Sequence, residues 1–419
     1  MELGFRRIIR NFADKKDREE FYHELNKKNN LNANRSESSR INLNSKFLWL
    51  VWLLVIILYF FIADIASAQS AAQLPAQEEN YLISFSDPSR LWGNGIEKVI
   101  EEAYRQFFRT KIIDGKVMNI RIPFAMNNDR DVMIRNNIFY FGDGKASPQM
   151  IWPVIEEILN SKDFSEYIKA LSSGREKVII FDIPERKWSV QTDLFLIAQI
   201  KSGAYKGLPH RPYALTSGKG ALESDVYNYL YCIGYTGIDC SGFVWNILSH
   251  IGRAGGVNLG EELRTVLGTP RNADPSRYAG TSFFNSRSNH IIAVNDDIRS
   301  LRPADVMLFR DIDGAIVHSA IIQSIDRTKG VIRYLQCNNV APINERGVHE
   351  AFIYFDPSNQ SVSLKDPSLH WTKKRFGAFT GEDIPFADDG ERYRYRLNGG
   401  GRVVRIRALI PAIERLNRQ

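Results

Sequence analysis

Cys240 is the residue of this chain whose surroundings most favour chemistry. It lies in the sequence Gly-Ile-Asp-Cys-Ser-Gly-Phe-Val-Trp, directly before an apolar stretch with helical character. A thiol at the N-terminus of a helix meets the positive end of the helix dipole and backbone N–H groups that lack partners, and both favour the thiolate. Because the thiolate is the nucleophilic form of cysteine, we expect Cys240 to have a lowered pKa and to act as a nucleophile.

A cysteine nucleophile needs a base, and His318 is the best candidate. It lies in the strand-like sequence Ile-Val-His-Ser-Ala-Ile-Ile, and a strand holds an imidazole rigidly. The next strand-like run ends in Gln336, Cys337 and Asn338, and the two-residue period of a strand puts Gln336 and Asn338 on one face. The side-chain carbonyl of Gln336 would accept from the imidazole and fix its tautomer. His349, which begins a further strand, is a weaker candidate for the same cleft.

The elements that position these side chains follow from the sequence pattern. Asp239 is suited to cap a helix over residues 240–251, because its carboxylate accepts from the free N–H groups of the first turn. Apolar runs separated by turn residues then follow at 304–309, 315–324, 330–336 and 348–355. A helix followed by an antiparallel meander is an α+β arrangement.

Six short segments carry a pattern that extends beyond Cys240. They are Pro212–Tyr213, Asp239–Val244, Leu301–Phe309, His318 at the opening of a strand, Tyr334–Cys337 and Trp371–Phe376. The set resembles the bacterial NlpC/P60 family of papain-like cell-wall peptidases, which has a glycine at the place of Ala304. The resemblance covers roughly residues 190–380, under half of the chain. The Asp-Cys-Ser-Gly-Phe motif is specific only when a histidine and a third polar residue follow in order, as they do here.

The resemblance implies a papain-like fold in which a cysteine-bearing helix packs on an antiparallel sheet. It implies Cys240 as the nucleophile, His318 as general base and then acid, and Gln336 as the residue that orients the imidazole. The family often has histidine at this third place, so Asn338 stays open as an alternative. The predicted substrate-binding residues are Tyr213, Asp239, Ser241 and Asn338. The backbone N–H of Cys240 would help to bind the developing oxyanion.

The activity implied by the resemblance is hydrolysis of peptide bonds in peptidoglycan stem peptides, commonly after D-γ-glutamyl, through a thioacyl-enzyme. Two other classes of function stay open. One is a catalytically inactive, membrane-tethered protein that binds the cell wall or serves as a scaffold. The other is an amidase or acyltransferase of the same fold with a substrate other than peptidoglycan.

An uncharged apolar run occupies residues 47–63, after a polar basic leader at 1–46. Its 17 residues are at the short limit for a membrane-spanning helix and slightly long for the core of a signal peptide. Ala66-Ser67-Ala68 follows as a possible cleavage site, so residues 47–68 are predicted to be either a signal peptide or a transmembrane anchor. Both alternatives export the rest of the chain to the bacterial periplasm or cell envelope, either anchored or secreted.

The exported part is predicted to contain a linker and two domains. The linker covers 69–80, and a separate α/β domain of unknown role covers 81–185, with a helix from Ile96 and strands at 117–124, 132–141 and 177–183. The NlpC/P60-like catalytic domain covers 186–412. Its C-terminal extension begins at about 380 and is predicted to form an extra hairpin about 398–401, in which Arg405 belongs to a solvated sheet face.

Charge and cysteine usage limit the partners. The whole chain has a formal net charge of +7, but residues 69–419 carry 44 Lys/Arg and 40 Asp/Glu. This mild excess argues against a nucleic-acid partner. The three cysteines and seven histidines show no metal-binding spacing, so no metal and no cofactor are predicted. The predicted partners are peptidoglycan and, through residues 47–63, the membrane, while protein partners stay undetermined.

Overall fold

The computed structural model describes most of the chain from Asn94 onward. The described residues are 94–126, 145–172, 174–202, 204, 213–216, 218–311, 313–338, 346–376, 383–387, 395 and 400–418. They all belong to one compact unit, Ser84–Gln419. The predicted leader, the apolar run at 47–63, the linker and the strand at 132–141 lie outside the described residues. Within the described ranges, no helix is long and apolar enough to cross a membrane.

The first part of this unit alternates helices with short strands. Its elements are α1 (Ile96–Arg105), β1 (Phe108–Ile113), β2 (Lys116–Arg121), α2 (Pro148–Leu159), α3 (Lys162–Leu171), β3 (Val178–Asp182), β4 (Lys187–Gln191), α4 (Leu194–Lys201), β5 (Tyr213–Leu215) and α5 (Glu223–Tyr229). The predicted helix from Ile96 is confirmed, and its apolar stripe is buried at Ile96, Ile100, Ala103 and Tyr104. β1 and β2 form an antiparallel hairpin, and β4, β3 and β5 form a three-stranded antiparallel sheet.

The second part begins with the cysteine-bearing helix. Its elements are α6 (Cys240–Ala254), α7 (Leu259–Leu263), α8 (Thr281–Phe284), β6 (Ile291–Val294), β7 (Val306–Arg310), β8 (Ile316–Asp326), β9 (Val331–Asn338), β10 (Gly347–Tyr354), β11 (His370–Phe376), β12 (Asp383–Ala387), β13 (Arg402–Ile406) and α9 (Ile410–Leu416). The predicted meander is confirmed as the run β7-β8-β9-β10, in which every neighbouring pair is antiparallel.

The meander lies inside an eight-stranded antiparallel sheet with the order β12-β11-β10-β9-β8-β7-β13-β6. The end of the chain therefore enters the sheet, because β13 pairs with β7 on one side and β6 on the other. This position overturns the expectation that Arg405 lies on a solvated face. The Arg405 guanidinium is bound to the buried carboxylate of Asp305, with Nε 2.7 Å from Oδ1. The pairing of β13 with β7, about a hundred residues earlier in the chain, brings Arg405 to Asp305.

Apolar residues cover both faces of the large sheet. On one face, Ile321 and Leu335 share a core with Phe243 and Ile247 of α6. On the other, Phe309 and Tyr334 belong to a second core. The chain is thus a mixed α and β structure with antiparallel sheets, and a helix that begins at Cys240 packs on the largest sheet.

The core beneath α6 also contains residues of the predicted 81–185 domain. The ring of Phe107, which follows α1, lies 4.9 Å from the ring of Phe243, and Tyr104 contacts the same ring edge-on at 6.3 Å. Both segments therefore contribute to the surface on which the cysteine-bearing helix rests. The division into domains at residue 185 stays a prediction from the sequence.

Ala304, where the resemblance noted in the sequence would place a glycine, has a backbone φ of 71° and is buried. The left-handed conformation costs a residue with a Cβ about 1–2 kcal/mol, whereas glycine adopts it freely but loses about 0.5–1 kcal/mol of backbone entropy. We expect Ala304→Gly to change the free energy of unfolding by less than about 1 kcal/mol. Ala320→Gly, in the extended strand β8, has no strain to relieve and should cost clearly more. Urea unfolding measures the free energy of unfolding of both variants. Equal losses would contradict backbone strain at Ala304.

Candidate active site

Cys240 is the first residue of α6, and local sequence explains why the helix begins there. The side chain of Asp239 caps the helix, since its Oδ1 accepts from the Gly242 backbone N–H at 2.6 Å. A Cβ at position 242 would lie 2.5 Å from that same oxygen, so the close approach of the cap needs glycine. The Asp-Cys-Ser-Gly sequence thus encodes a capped helix start that holds the thiol. The predicted cap is confirmed.

A buried lysine that sequence reasoning missed engages this cap. Lys145 Nζ lies 3.0 Å from Asp239 Oδ2 and 2.8 Å from Ser241 Oγ, and the Ser241 hydroxyl donates to the same Asp239 oxygen at 2.9 Å. The Lys145 backbone N–H also donates to Ser276 Oγ. Lys145 is about a hundred residues from Asp239 in sequence, and no local motif marks it. A cationic group of a substrate would therefore have to compete with Lys145 for Asp239 and Ser241. Substrate binding by these two residues stays a prediction.

The thiol of Cys240 is in an environment that favours its protonated form. Burial of the sulfur raises the pKa of Cys240 to about 11, and the negative charge of Asp239 adds to the rise. A hydrogen bond from the Ser319 backbone N–H and the positive charge of Lys145 act in the opposite direction but do not outweigh them. The expected lowering of this pKa is therefore wrong. The helix N-terminus is present, but burial and the neighbouring carboxylate dominate.

Alkylation of Cys240 by iodoacetamide should accordingly be slow at neutral pH and accelerate as the pH rises towards about 11, because only the thiolate reacts. Asp239→Asn removes the negative charge but keeps a residue that caps helices well, so its rate curve should shift to lower pH. Mass spectrometry of the Cys240 peptide separates this thiol from Cys232 and Cys337, which are both buried. A fast wild-type rate that is already constant between pH 6 and pH 7 would contradict a protonated thiol.

Two contacts connect the start of α6 with the strands that carry the other candidates. The Ser319 backbone N–H lies close enough to the Cys240 sulfur to lower its pKa, and this nitrogen is bonded to the carbonyl carbon of His318. The sulfur therefore lies against the peptide unit that His318 and Ser319 share. Cys337, which follows Gln336, donates its S–H to the carbonyl of Ile238 at 3.0 Å. The N-terminus of α6 thus meets the beginning of β8 and the end of β9.

His318 and Gln336 are in direct contact. The imidazole Nε2 of His318 lies 2.7 Å from Gln336 Oε1, and both side chains are buried. The His318 ring also packs against Phe309, with ring centroids 5.2 Å apart, so it leaves β8 on the face opposite the core of α6. Strand alternation therefore sends the imidazole and Ser319 to different faces, and a direct bond between the thiol and the imidazole stays a prediction. The contact with Gln336 was anticipated from the alternation of β9.

A second histidine extends this contact. His349 Nε2 lies 2.9 Å from Gln336 Nε2, and His349 Nδ1 lies 2.8 Å from the carbonyl oxygen of Gly347. His349 stands opposite Gln336 in the antiparallel register of β9 and β10, which explains the proximity. Sequence reasoning gave His349 little weight because its register against β9 could not be known. The resulting array is a continuous line of polar contacts from His318 to the backbone of β10.

The remaining candidates lie nearby or in another sheet. Asn338 is buried at the end of β9, two residues beyond Gln336 and opposite Gly347, whereas the contact with His318 is made by Gln336. Tyr213 begins β5 in the three-stranded sheet, opposite Ile180, and its place in a substrate cleft stays a prediction. Within the described part of the chain, no group of three or more His, Cys, Asp or Glu side chains is arranged to hold a metal ion.

Comparison of the chain with protein-family models, with curated proteins and with solved structures finds no match in any of the three. The resemblance to the NlpC/P60 family therefore depends on the motifs of the sequence alone.

Proposed function

We propose that the protein is an exported cysteine peptidase of the NlpC/P60 type that hydrolyses peptide bonds in peptidoglycan stem peptides. The observation that carries the proposal is the His318–Gln336 hydrogen bond of 2.7 Å, near the end of β9 where Cys337 bonds to the segment before α6. The proposal requires the His318 imidazole, which leaves β8 on the opposite face, to reach the Cys240 sulfur. A nucleophile, a base and a residue that orients the base are the three parts that such a hydrolase needs. Residues 47–63 provide the export signal or the membrane anchor that brings the site to its substrate.

In the first half of the reaction, the Cys240 sulfur attacks the carbonyl carbon of the scissile bond while the imidazole of His318 takes the thiol proton. Because the pKa of Cys240 is raised to about 11, proton transfer accompanies the attack and does not precede it. The backbone N–H groups of the first turn of α6 have no partners within the helix, and the N–H of Cys240 donates to the oxyanion. The protonated imidazole then gives its proton to the leaving amine.

In the second half, water hydrolyses the thioester. His318, now neutral, takes a proton from the attacking water. The bond between carbon and sulfur then breaks, the imidazolium returns the proton to the sulfur, and the carboxylic acid product leaves. Gln336 acts in both halves by holding the imidazole through its side-chain carbonyl.

Two observations favour a different function, namely the raised pKa of Cys240 and the position of the His318 imidazole on the face of β8 opposite the core of α6. A protein that no longer uses the thiol could bind the cell wall as a membrane-tethered scaffold and keep the fold. An amidase or acyltransferase with a substrate other than peptidoglycan would use the same three residues.

Incubation of the full-length protein with isolated sacculi tests these functions, with mass spectrometry of the released fragments and Cys240→Ala as the control. We expect stem-peptide fragments from the wild type and none from the variant. Binding to sacculi without products would overturn the peptidase and support the scaffold. Turnover confined to simple acyl esters or amides would support the third function.

A further inference from the structure

Three hydrogen bonds connect the Gly347 carbonyl through His349 and Gln336 to His318. The Gly347 carbonyl oxygen determines which group donates and which accepts in each of them. The carbonyl oxygen of Gly347 can only accept, so the facing Nδ1 of His349 must carry a proton. In the neutral ring, the other nitrogen, Nε2, then carries the lone pair and accepts. The Gln336 atom that faces it must therefore be the amide nitrogen, which donates.

The orientation of the Gln336 amide then fixes the tautomer of His318. With its nitrogen committed to His349, the amide presents its oxygen to His318, and this oxygen can only accept. His318 must donate from Nε2, so in the neutral ring the lone pair is on Nδ1. For a neutral His349, the backbone carbonyl at the far end of the line excludes the flipped amide.

We propose that His349 is a positioning residue that acts through Gln336 and sets the basic nitrogen of His318 to Nδ1. The proposal rests on the peptidase function in so far as that function uses His318 as the base. His349 acts on His318 through the Gln336 amide. Its burial beside β9 and its bond to the Gly347 carbonyl keep the ring from turning and hold the line in one direction.

The most direct test observes the tautomers without turnover. In the full-length protein labelled with ¹⁵N in its histidines, two-bond ¹H–¹⁵N correlation spectra distinguish a proton on Nδ1 from one on Nε2. We expect His318 to be the Nε2–H tautomer and His349 to be the Nδ1–H tautomer in the wild type. His349→Leu frees the amide to turn, so His318 should become a mixture of tautomers. A wild-type His318 with its proton on Nδ1, or an unchanged His318 in the variant, would overturn the proposal.

A second variant keeps the test informative if His349→Leu does not fold. Gln336→Glu replaces the amide with a carboxylate that only accepts, so His318 keeps the proton on Nε2. His349 now faces an acceptor at each nitrogen, the Gly347 carbonyl and the new carboxylate, and should take up a second proton. We expect the spectrum of His349 to change to that of an imidazolium at neutral pH. A His349 that remains neutral with its proton on Nδ1 would contradict the direction of the line.

Kinetics provide the readout that depends on the proposed function. His349→Leu should lower kcat about 10- to 10²-fold with little change in KM, which is less than the loss of the base itself. His370→Leu is the matched control, because His370 stands opposite Tyr354, five residues along β10 from His349 and so about 17 Å away. If neither wild type nor variants cleave stem peptides but the tautomers are as expected, the peptidase function fails and the positioning role stands.

Discussion

Replacing His318 with alanine is expected to lower kcat for stem-peptide hydrolysis by about 10²–10⁴-fold at neutral pH, which is the contribution of a positioned general base. The raised pKa of Cys240 makes the loss large, because at neutral pH almost no thiolate exists without a base to remove the proton. The variant should regain part of its rate as the pH rises towards about 11, where hydroxide ionises the thiol directly. Wild-type hydrolysis should not show this late rise.

The matched control is His370→Ala. His370 is an exposed histidine at the start of β11 in the same sheet, opposite Tyr354 at the far end of β10. Its rate and pH profile should equal those of the wild type. Hydrolysis by His318→Ala at the wild-type rate, or a loss that is the same at every pH, would show that His318 is not the base.

Replacing Arg333 with methionine is expected to destabilise the fold by about 3–5 kcal/mol, because it removes the buried guanidinium that neutralises two buried carboxylates, of which Glu101 keeps a second ion pair with Arg105. Arg333 Nε lies 2.6 Å from Glu350 Oε2, and its Nη1 lies 2.6 Å from Glu101 Oε2. All three side chains are only 1% exposed. The guanidinium also lies over the ring of Tyr104, 5.5 Å from its centroid. Urea unfolding at neutral pH measures the loss.

Two further variants separate the effect of the buried charges from the effect of losing any arginine. Arg299→Met removes an arginine that is 62% exposed in its pair with Asp297, and it should cost less than about 1 kcal/mol. Combining Arg333→Met with Glu101→Gln and Glu350→Gln also removes the two buried negative charges that Arg333 neutralises and should recover much of the stability. If Arg333→Met lowers the free energy of unfolding no more than Arg299→Met does, the buried ion pairs of Arg333 do not stabilise the fold. Because Glu101 belongs to α1 and Glu350 follows His349 on β10, this network joins the first helix to the strand that positions the site.

Features that depend on neighbours in sequence could be predicted well. The Asp239 cap and the start of α6 need only four consecutive residues. The two-residue alternation of β9 put Gln336 and Asn338 on one face and so limited the partners of His318 to these two, of which Gln336 makes the contact. The alternation also predicted that Cys337 points away from Gln336, and its bond to Ile238 confirms this.

Features that depend on distant segments could not be predicted. Lys145 reaches Asp239 from another part of the chain, and the position of His349 opposite Gln336 depends on a strand register that no single strand reveals. The same holds for Arg405, whose partner Asp305 is brought close only when β13 enters the sheet. The pKa of Cys240 combines these effects, since burial and charge from several elements outweigh the helix dipole that the local motif provides.

Detection of the acyl-enzyme is the most direct test of the claim that the Cys240 sulfur attacks the scissile carbonyl. The full-length protein is mixed with purified stem peptides, quenched in acid during turnover, digested and analysed by mass spectrometry. The account predicts that the acyl half of the substrate is bound to the peptide that contains Cys240, and that Cys240→Ala shows neither the adduct nor the products. Products formed by Cys240→Ala at the wild-type rate, or an acyl group carried on another residue, would contradict it.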